Sequence, residues 1–276
     1  MARTPLQLVT GGLARLERTL RRVRRGLSAP RGRGQTERPN DADEWASLYA
    51  EELRPVRTVE SVIARALVDL TRPDETLLET GCGAARISAE LATTGRRIEL
   101  ADFSEPILAR ARELFSVSGL PVPGVTLCDL TRPLPWKDRS VDVLWSSGVL
   151  EHWTDEELVP IVREQARVTR RLVVSLVPHA GCFAYRWGKS VAEATGTWPF
   201  GRELPRSTLR PVFERAGLKR VAESTLWAEA GIDFLNFVDP EVRRDASEWL
   251  QKLPPDDPIR TQQGYLLMTL GEVGNT

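Results

Sequence analysis

The chain has 276 residues, 41% of them hydrophobic and 28% charged, and its formal net charge is zero. This predicts one large α/β domain with a buried core, or two small ones, and the balanced charge points to no nucleic-acid partner. Cysteines 82, 128 and 182 match no zinc spacing, and two histidines are too few for a His-rich metal site. Since no apolar run resembles a membrane span or a secretory signal, we expect a cytoplasmic protein with reduced thiols.

The first 34 residues differ from the rest in charge, because they hold nine arginines and one glutamate. Apolar residues recur at steps of three and four from Leu6 to Leu27, which predicts a basic amphipathic helix. Three interpretations stay open: the helix lies on an anionic membrane surface, it packs on a partner helix, or it is a solvated arm. Residues 29–40 are typical of a linker. We therefore separate a basic segment and linker, residues 1–40, from a domain at residues 41–276.

From residue 41 the hydrophobic pattern alternates between helical and strand periods. Helices are predicted at residues 43–49, 59–70, 84–93, 104–115, 154–169 and 207–216. Strands are predicted at residues 75–79, 97–101, 125–128, 141–146, 171–177, 219–226 and 265–269. Ser104 is expected to cap its helix, while Thr154 and Glu157 have the spacing of a capping box. The alternation predicts a doubly wound α/β fold with a mostly parallel sheet, and residues 228–263 form an insertion between the last two strands.

The segment from Leu77 to Arg86 is an apolar strand that runs into a glycine turn and opens a helix. Such a turn lets backbone N–H groups approach a ligand at the carboxyl end of the sheet, because glycine has no Cβ to block the approach. A dinucleotide fingerprint requires glycine at its sixth position, where this chain has Arg86. The carboxylate of Glu79, two residues before the first glycine, would also repel a pyrophosphate. A cationic ligand suits this turn better.

This pattern resembles the class I S-adenosylmethionine-dependent methyltransferases, and within them the type 11 small-molecule group. The acidic residue and alternate glycines of their first motif match Glu79, Gly81 and Gly83, with Ala85 in place of a third glycine. The resemblance extends over residues 45–269. It implies a Rossmann-like sheet of seven strands, mostly parallel, whose last strand is antiparallel. It also implies that residues 41–276 are the methyltransferase domain and that the cofactor is S-adenosyl-L-methionine.

The resemblance further implies which residues contact this cofactor. Asp102 ends the second strand, where the family's carboxylate accepts both ribose hydroxyls, and Asp129 follows the third strand, where the family binds the adenine amino group. The family's fourth-strand motif is similar to residues 140–144 and to the Leu-Glu-His sequence at residues 150–152. The expected cofactor contacts are Tyr49, Glu79, Gly81, Cys82, Gly83, Asp102, Phe103, Asp129, Leu130 and Ser147.

Several aromatic residues have two interpretations each. Trp45 and Tyr49 precede the first strand and either cover the cofactor or pack in the core. Trp187, Trp198 and Phe200 follow the fifth strand, in a region that often lines the acceptor pocket of the family. The alternative for these three residues is an ordinary core or lid.

His152 is the candidate catalytic residue, as a general base on a hydroxyl or amine acceptor, and the alternative is a structural histidine at a helix start. No metal ligand is expected. The chain has no Asn-Pro-Pro-Tyr-like motif, which would mark a planar amino group, so we favour methylation of oxygen or carbon in a small molecule. Two other functions stay open: an NAD-dependent oxidoreductase, and a non-catalytic membrane-associated module that retains the fold.

Overall fold

The structure is a computed structural model that describes residues 53–198 and 200–274. The basic segment and linker at residues 1–40, and the predicted helix with Trp45 and Tyr49, lie outside the described residues. Within the described ranges, no helix has the length and apolar character needed to cross a membrane.

Helices and strands alternate along the described chain. The strands are β1 (Thr76–Thr80), β2 (Arg97–Asp102), β3 (Gly124–Leu127), β4 (Val141–Ser147), β5 (Thr169–Pro178), β6 (Lys219–Leu226) and β7 (Leu266–Glu272). The helices are α1 (Val62–Leu70), α2 (Arg86–Ala92), α3 (Glu105–Ser118), α4 (Asp155–Val168), α5 (Phe183–Thr195), α6 (Arg210–Arg215), α7 (Ala228–Asp233), α8 (Pro240–Gln251) and α9 (Pro258–Gln262). Two 3-10 turns lie at Leu150–His152 and Phe234–Phe237.

The strands form one seven-stranded sheet in the order β3-β2-β1-β4-β5-β7-β6. Strands β1 to β5 run parallel, and β7 is antiparallel to both β5 and β6. The predicted fold, a mostly parallel sheet of seven strands whose last strand is antiparallel, is confirmed. The chain order reverses between β1 and β4, and this is the position where doubly wound sheets bind their ligands.

Both faces of the sheet are covered by helices. Side chains alternate between the faces along a strand, so Leu77 packs with α1, α2 and α3 while the adjacent Leu78 packs with α4 and α6. Both leucines are fully buried. Burial on both faces explains why the parallel strands are continuous apolar runs.

A third layer, which we call the cap, consists of α5, α7, α8 and the 3-10 turn Phe234–Phe237. It has a small apolar core of its own, whose buried members are Val191, Ala228, Ile232, Leu235, Val238 and Leu250. Helix α5 follows the carboxyl end of β5, and the rest of the cap connects the end of β6 to the start of β7. Because Pro178, Leu226 and Leu266 are neighbours in the sheet, the cap emerges at the edge where the parallel strands end.

Three local predictions are corrected. Helix α5 is absent from the predicted elements. The helix expected at residues 207–216 begins only at Arg210, because the carboxylate of Glu223 accepts the backbone N–H of Leu209 and holds it outside the helix. Ser104 occupies the cap position of α3 without a capping hydrogen bond from its side chain. Its N–H instead donates to the carboxylate of Asp102. The predicted capping box of Thr154 and Glu157 is confirmed at the start of α4.

Candidate active site

The glycine turn follows β1 and has a backbone that only small residues adopt easily. Gly81 and Gly83 have φ angles of 65° and 51°, and Ala85 follows with a φ of 53°. The N–H groups of Gly81 and Cys82 donate to the carbonyl oxygen of Ala101, at 2.8 and 3.1 Å, which ties the turn to β2. A Cβ atom on Gly81 would lie 2.6 Å from Cγ2 of Val149. The turn therefore needs glycine at position 81 for both conformation and space.

Asp102 joins the end of β2 to this turn. Its Oδ2 accepts the N–H of Gly83 and its Oδ1 accepts the N–H of Ser104, both at 3.1 Å. Burial raises the pKa of the Asp102 carboxyl, while the backbone hydrogen bonds act in the opposite direction. A carboxylate has about four lone-pair sites, so Asp102 can still accept hydrogen bonds from a ligand.

Glu79 lies beside Asp102 under the glycine turn. The Glu79 side chain is only 4% exposed, and its Oε2 has no hydrogen-bond partner among the described residues. Burial raises the pKa of Glu79 well above its ordinary value, and the nearby charge of Asp102 raises it further. An unpartnered buried carboxylate is costly, so this oxygen is suited to a hydrogen-bond donor or positive charge supplied by a ligand.

The other predicted cofactor contacts lie along the same edge of the sheet. Asp129 follows β3 and is exposed, and its Oδ1 accepts both the N–H and the hydroxyl of Thr131 at 2.8 Å. Ser147 ends β4, and Phe103 is 43% exposed directly after β2. Leu130 is buried at the rim of a cavity of about 490 Å³ between residues 130–133 and α4. The structure thus brings the ends of β1 to β4 together.

Cys82 is part of the glycine turn but is not an activated thiol. Its side chain is buried, and burial, followed by the charges of Glu79 and Asp102, raises its pKa well above the ordinary value. A reactive cysteine requires the thiolate, which this environment disfavours. Among the described residues, no group of three or more His, Cys, Asp or Glu side chains is placed to hold a metal ion.

His152 ends the 3-10 turn that follows β4 and is 8% exposed. Its Nδ1 lies 2.8 Å from the carbonyl oxygen of Arg202. A carbonyl oxygen only accepts, so Nδ1 carries a proton and donates it to Arg202. The histidine is thereby oriented by the segment that follows α5.

The three aromatic residues predicted after β5 divide into two groups. Trp198 and Phe200 contact each other with ring centroids 5.3 Å apart, and Trp198 also contacts Tyr185 and Phe234. Trp187 instead contacts the exposed Phe183 and packs against the core of the cap. The structure therefore does not place Trp187 with the other two.

Sequence reasoning missed four buried polar residues at the junction of the cap and the sheet: Glu151, Tyr185, Lys189 and Glu203. Glu151 was visible as the acidic residue in an otherwise apolar stretch before His152. Tyr185 and Lys189 have helical spacing, but their helix was not predicted, so this signal was lost.

Comparison with known proteins supports the methyltransferase interpretation. Residues 78–173 match a family model described as a methyltransferase domain. A magnesium-protoporphyrin O-methyltransferase from Synechocystis sp. (strain ATCC 27184 / PCC 6803 / Kazusa) is 27% identical in an alignment of 151 residues, and the match covers 49% of this chain and 63% of that protein. The chain thus spans less than two thirds of this relative's length.

Two solved structures share the fold. The crystal structure of magnesium protoporphyrin IX methyltransferase from Synechocystis PCC 6803 with bound SAH has a TM-score of 0.52 and 17% identity, over 84% of this chain and 93% of that chain. A SAM-dependent methyltransferase from Aquifex aeolicus has a TM-score of 0.51 and 13% identity, over 85% of this chain and 99% of that chain.

The strand order and the glycine turn after β1 define a Rossmann-like fold, which this chain shares with solved S-adenosylmethionine-dependent methyltransferases. Within that fold, residues 78–173 are similar to the methyltransferase domain of the matching family model.

Proposed function

We propose that the chain transfers the methyl group of S-adenosyl-L-methionine to a small-molecule acceptor by in-line displacement, with oxygen or carbon as the favoured acceptor atom. The observation that carries this proposal is the pair of buried carboxylates, Glu79 and Asp102, at the glycine turn. The name of the curated relative specifies O-methylation of a magnesium-protoporphyrin, which favours an oxygen acceptor here as well.

The residues at the turn fit the chemistry of this cofactor. The unpartnered Oε2 of Glu79 suits a positively charged nucleoside, Asp102 would hold the ribose hydroxyls, and Asp129 would hold the adenine amino group. Gly81, Cys82, Gly83, Phe103, Leu130 and Ser147 would complete the contacts, together with Tyr49 from outside the described residues. An NAD pyrophosphate would instead meet the carboxylate of Glu79, which disfavours the oxidoreductase alternative.

The residues of the chain act mainly by positioning. The cofactor supplies an already activated methyl group, so no protein nucleophile is needed. Holding the acceptor in line and excluding water lowers the barrier by roughly 7–11 kcal/mol. If the acceptor loses a proton, His152 is the candidate base, and the hydrogen bond of its Nδ1 with Arg202 holds the ring in place.

Calorimetric titration with S-adenosylhomocysteine tests the cofactor site. We expect Glu79→Gln and Asp102→Asn each to weaken binding by about 10- to 150-fold, the equivalent of a lost charged hydrogen bond. Glu214→Gln is the matched control, because Glu214 is an exposed carboxylate on α6. Wild-type affinity in both site variants, or tight NAD binding without S-adenosylhomocysteine binding, would refute the proposal. Absence of any cofactor binding to the wild type would favour the non-catalytic module.

We also propose that the arginine-rich residues 1–34 attach the protein to an anionic membrane surface, so that a cytoplasmic enzyme works at the inner membrane face. Their charge of +8 supports this, because each basic residue near an anionic surface contributes about 1 kcal/mol.

A further inference from the structure

A buried ionic cluster lies where the cap meets the carboxyl edge of the sheet. We define it as Glu151 from the 3-10 turn after β4, Tyr185 and Lys189 from α5, and Glu203 from the following segment. All four side chains are almost completely buried. Tyr185 and Lys189 are separated by four residues, so both lie on the same face of α5.

Glu203 accepts a hydrogen bond within this cluster, whereas Lys189 has ion-pair contacts but its Nζ has no hydrogen-bond partner among the described residues. The hydroxyl of Tyr185 donates to Oε2 of Glu203 at 2.6 Å, and Nζ of Lys189 lies 3.5 Å from the same oxygen. Nζ of Lys189 also lies 2.9 Å from Oε1 of the exposed Glu193 and 4.0 Å from the ring centroid of Trp198. The ammonium of Lys189 is therefore already shared between two carboxylates, and the second nearby cation, Arg206, is paired with Asp155.

Glu151 is not satisfied. Its side chain is 2% exposed, and its Oε2 is buried with no hydrogen-bond partner among the described residues. Two hydrogen bonds hold this part of the chain in place. The carbonyl oxygen of Glu151 accepts the N–H of Leu204 at 2.8 Å, and the ring of the next residue, His152, is hydrogen-bonded to the carbonyl oxygen of Arg202. Burial, followed by the charge of Glu203, raises the pKa of Glu151 well above its ordinary value.

The charges of the cluster show which ligand would complete it. The charge of Glu203 opposes ionisation of Glu151 and the charges of Arg206 and Lys189 favour it, but neither cation is hydrogen-bonded to its buried Oε2. A bound ammonium group would balance Glu151, whereas a bound carboxylate would add a third negative charge. Burial favours the protonated form of Glu151 in the ligand-free chain, and a bound ammonium would favour the ionised form, with the proton released to solvent.

Glu151 is also close to the methyl-donor site. Val149, two residues earlier, covers the glycine turn, and Gly148 connects Ser147 to this segment without a side chain. A Cβ on Gly148 would lie 3.6 Å from Oε1 of Glu151. On the cap side, Trp198 and Phe234 form an aromatic wall next to the cluster.

We propose that Glu151 anchors a protonated amine of the methyl acceptor, whose apolar or aromatic body lies against Trp198 and Phe234. This inference rests on the proposed function and specifies its substrate class: an amine-bearing small molecule. Glu151 is then a specificity-determining residue, distinct from the candidate base His152. Aromatic walls with a buried carboxylate are a favourable environment for an organic cation.

Three probes of one shape test the anchor: 2-phenylethylamine, 2-phenylethanol and 3-phenylpropionate, titrated into the protein with and without saturating S-adenosylhomocysteine. We expect the wild type to bind the amine about tenfold or more tighter than the alcohol, and the carboxylate most weakly. Glu151→Gln should lose this preference by weakening amine binding about tenfold or more while alcohol binding is unchanged. Glu229→Gln is the control, because Glu229 is an exposed carboxylate on α7 that is not part of the cluster.

Equal binding of amine and alcohol to the wild type would overturn the anchor, and this comparison does not depend on any variant folding. Unchanged amine binding in Glu151→Gln would overturn it as well. If the wild type does not bind S-adenosylhomocysteine, the proposed function is refuted instead. Retained cofactor binding in Glu151→Gln with lost amine preference would support both.

Discussion

Glu151 and Glu79 are both almost completely buried. Each has one carboxylate oxygen that lacks a hydrogen-bond partner among the described residues. Glu79 was predicted from sequence, because an acidic residue at the end of an apolar strand is conspicuous. Asp102 was predicted by the same logic, and parallel strands bring their carboxyl ends to one edge. The residues that surround Glu151 in the buried cluster come from α5 and from residue 203, and no local pattern indicates that these segments meet.

The buried carboxyl of Glu151 should make stability depend on pH. Its ordinary pKa is 4.5, and the folded protein raises it. The stability contributed by the neutral form is therefore complete below pH 4.5 and is lost as pH rises through the folded value. Glutamine does not titrate, so we expect the free energy of unfolding of the wild type to fall relative to Glu151→Gln as pH rises.

Urea denaturation of the wild type and of Glu151→Gln, at pH 4.5 and at a series of higher pH values, measures the difference between their free energies of unfolding. Glu214→Gln should follow the wild type at every pH, because its carboxylate is exposed. Parallel curves for the wild type and Glu151→Gln would show that Glu151 has no raised pKa in the folded state.

At the scale of single elements, the sheet was easier to predict than the cap. Strand β6 was predicted with its observed bounds, and the capping box gave the start of α4 to within one residue. Helix α5 lacks such a start signal, because its cap residue, Cys182, makes no capping hydrogen bond from its side chain. Its sequence also mixes aromatic residues with Gly188, which weakens helix propensity. Tertiary contacts with the rest of the cap stabilise this helix instead.

Gly188 shows how closely α5 packs. A Cβ at this position would overlap the backbone carbonyl of Phe234, in the 3-10 turn of the cap. Alanine normally favours a helix over glycine by about 1 kcal/mol, but the overlap reverses the sign here. We expect Gly188→Ala to lower the free energy of unfolding by about 1–3 kcal/mol.

Thermal and denaturant unfolding measure this effect, with Gly124→Ala as the control. A Cβ on Gly124 would make only an ordinary contact, 3.9 Å from Cγ of Glu99. A Gly188→Ala variant as stable as the wild type would mean that α5 and the 3-10 turn separate easily.

At the scale of the whole molecule, the proposed membrane contact depends on the charge difference between the two parts of the chain. The first 34 residues carry +8, so the remainder carries −8. We expect the full chain to co-sediment with vesicles that contain phosphatidylserine, and a chain without residues 1–34 to stay in solution. Because the attraction is electrostatic, raised salt should weaken the binding of the full chain. Equal partitioning of both forms would contradict membrane attachment through this segment, and neutral phosphatidylcholine vesicles provide the control.

The position of β7 has a consequence for the order of assembly. This strand is made after β6 but lies between β5 and β6, and it is the neighbour through which β6 joins the sheet. During synthesis, β1 to β5 can pair as soon as they leave the ribosome, whereas β6 waits without a strand partner until residues 266–272 follow. The helices of residues 228–262 are made during this interval, so we expect β6, β7 and this part of the cap to join the sheet after β1 to β5.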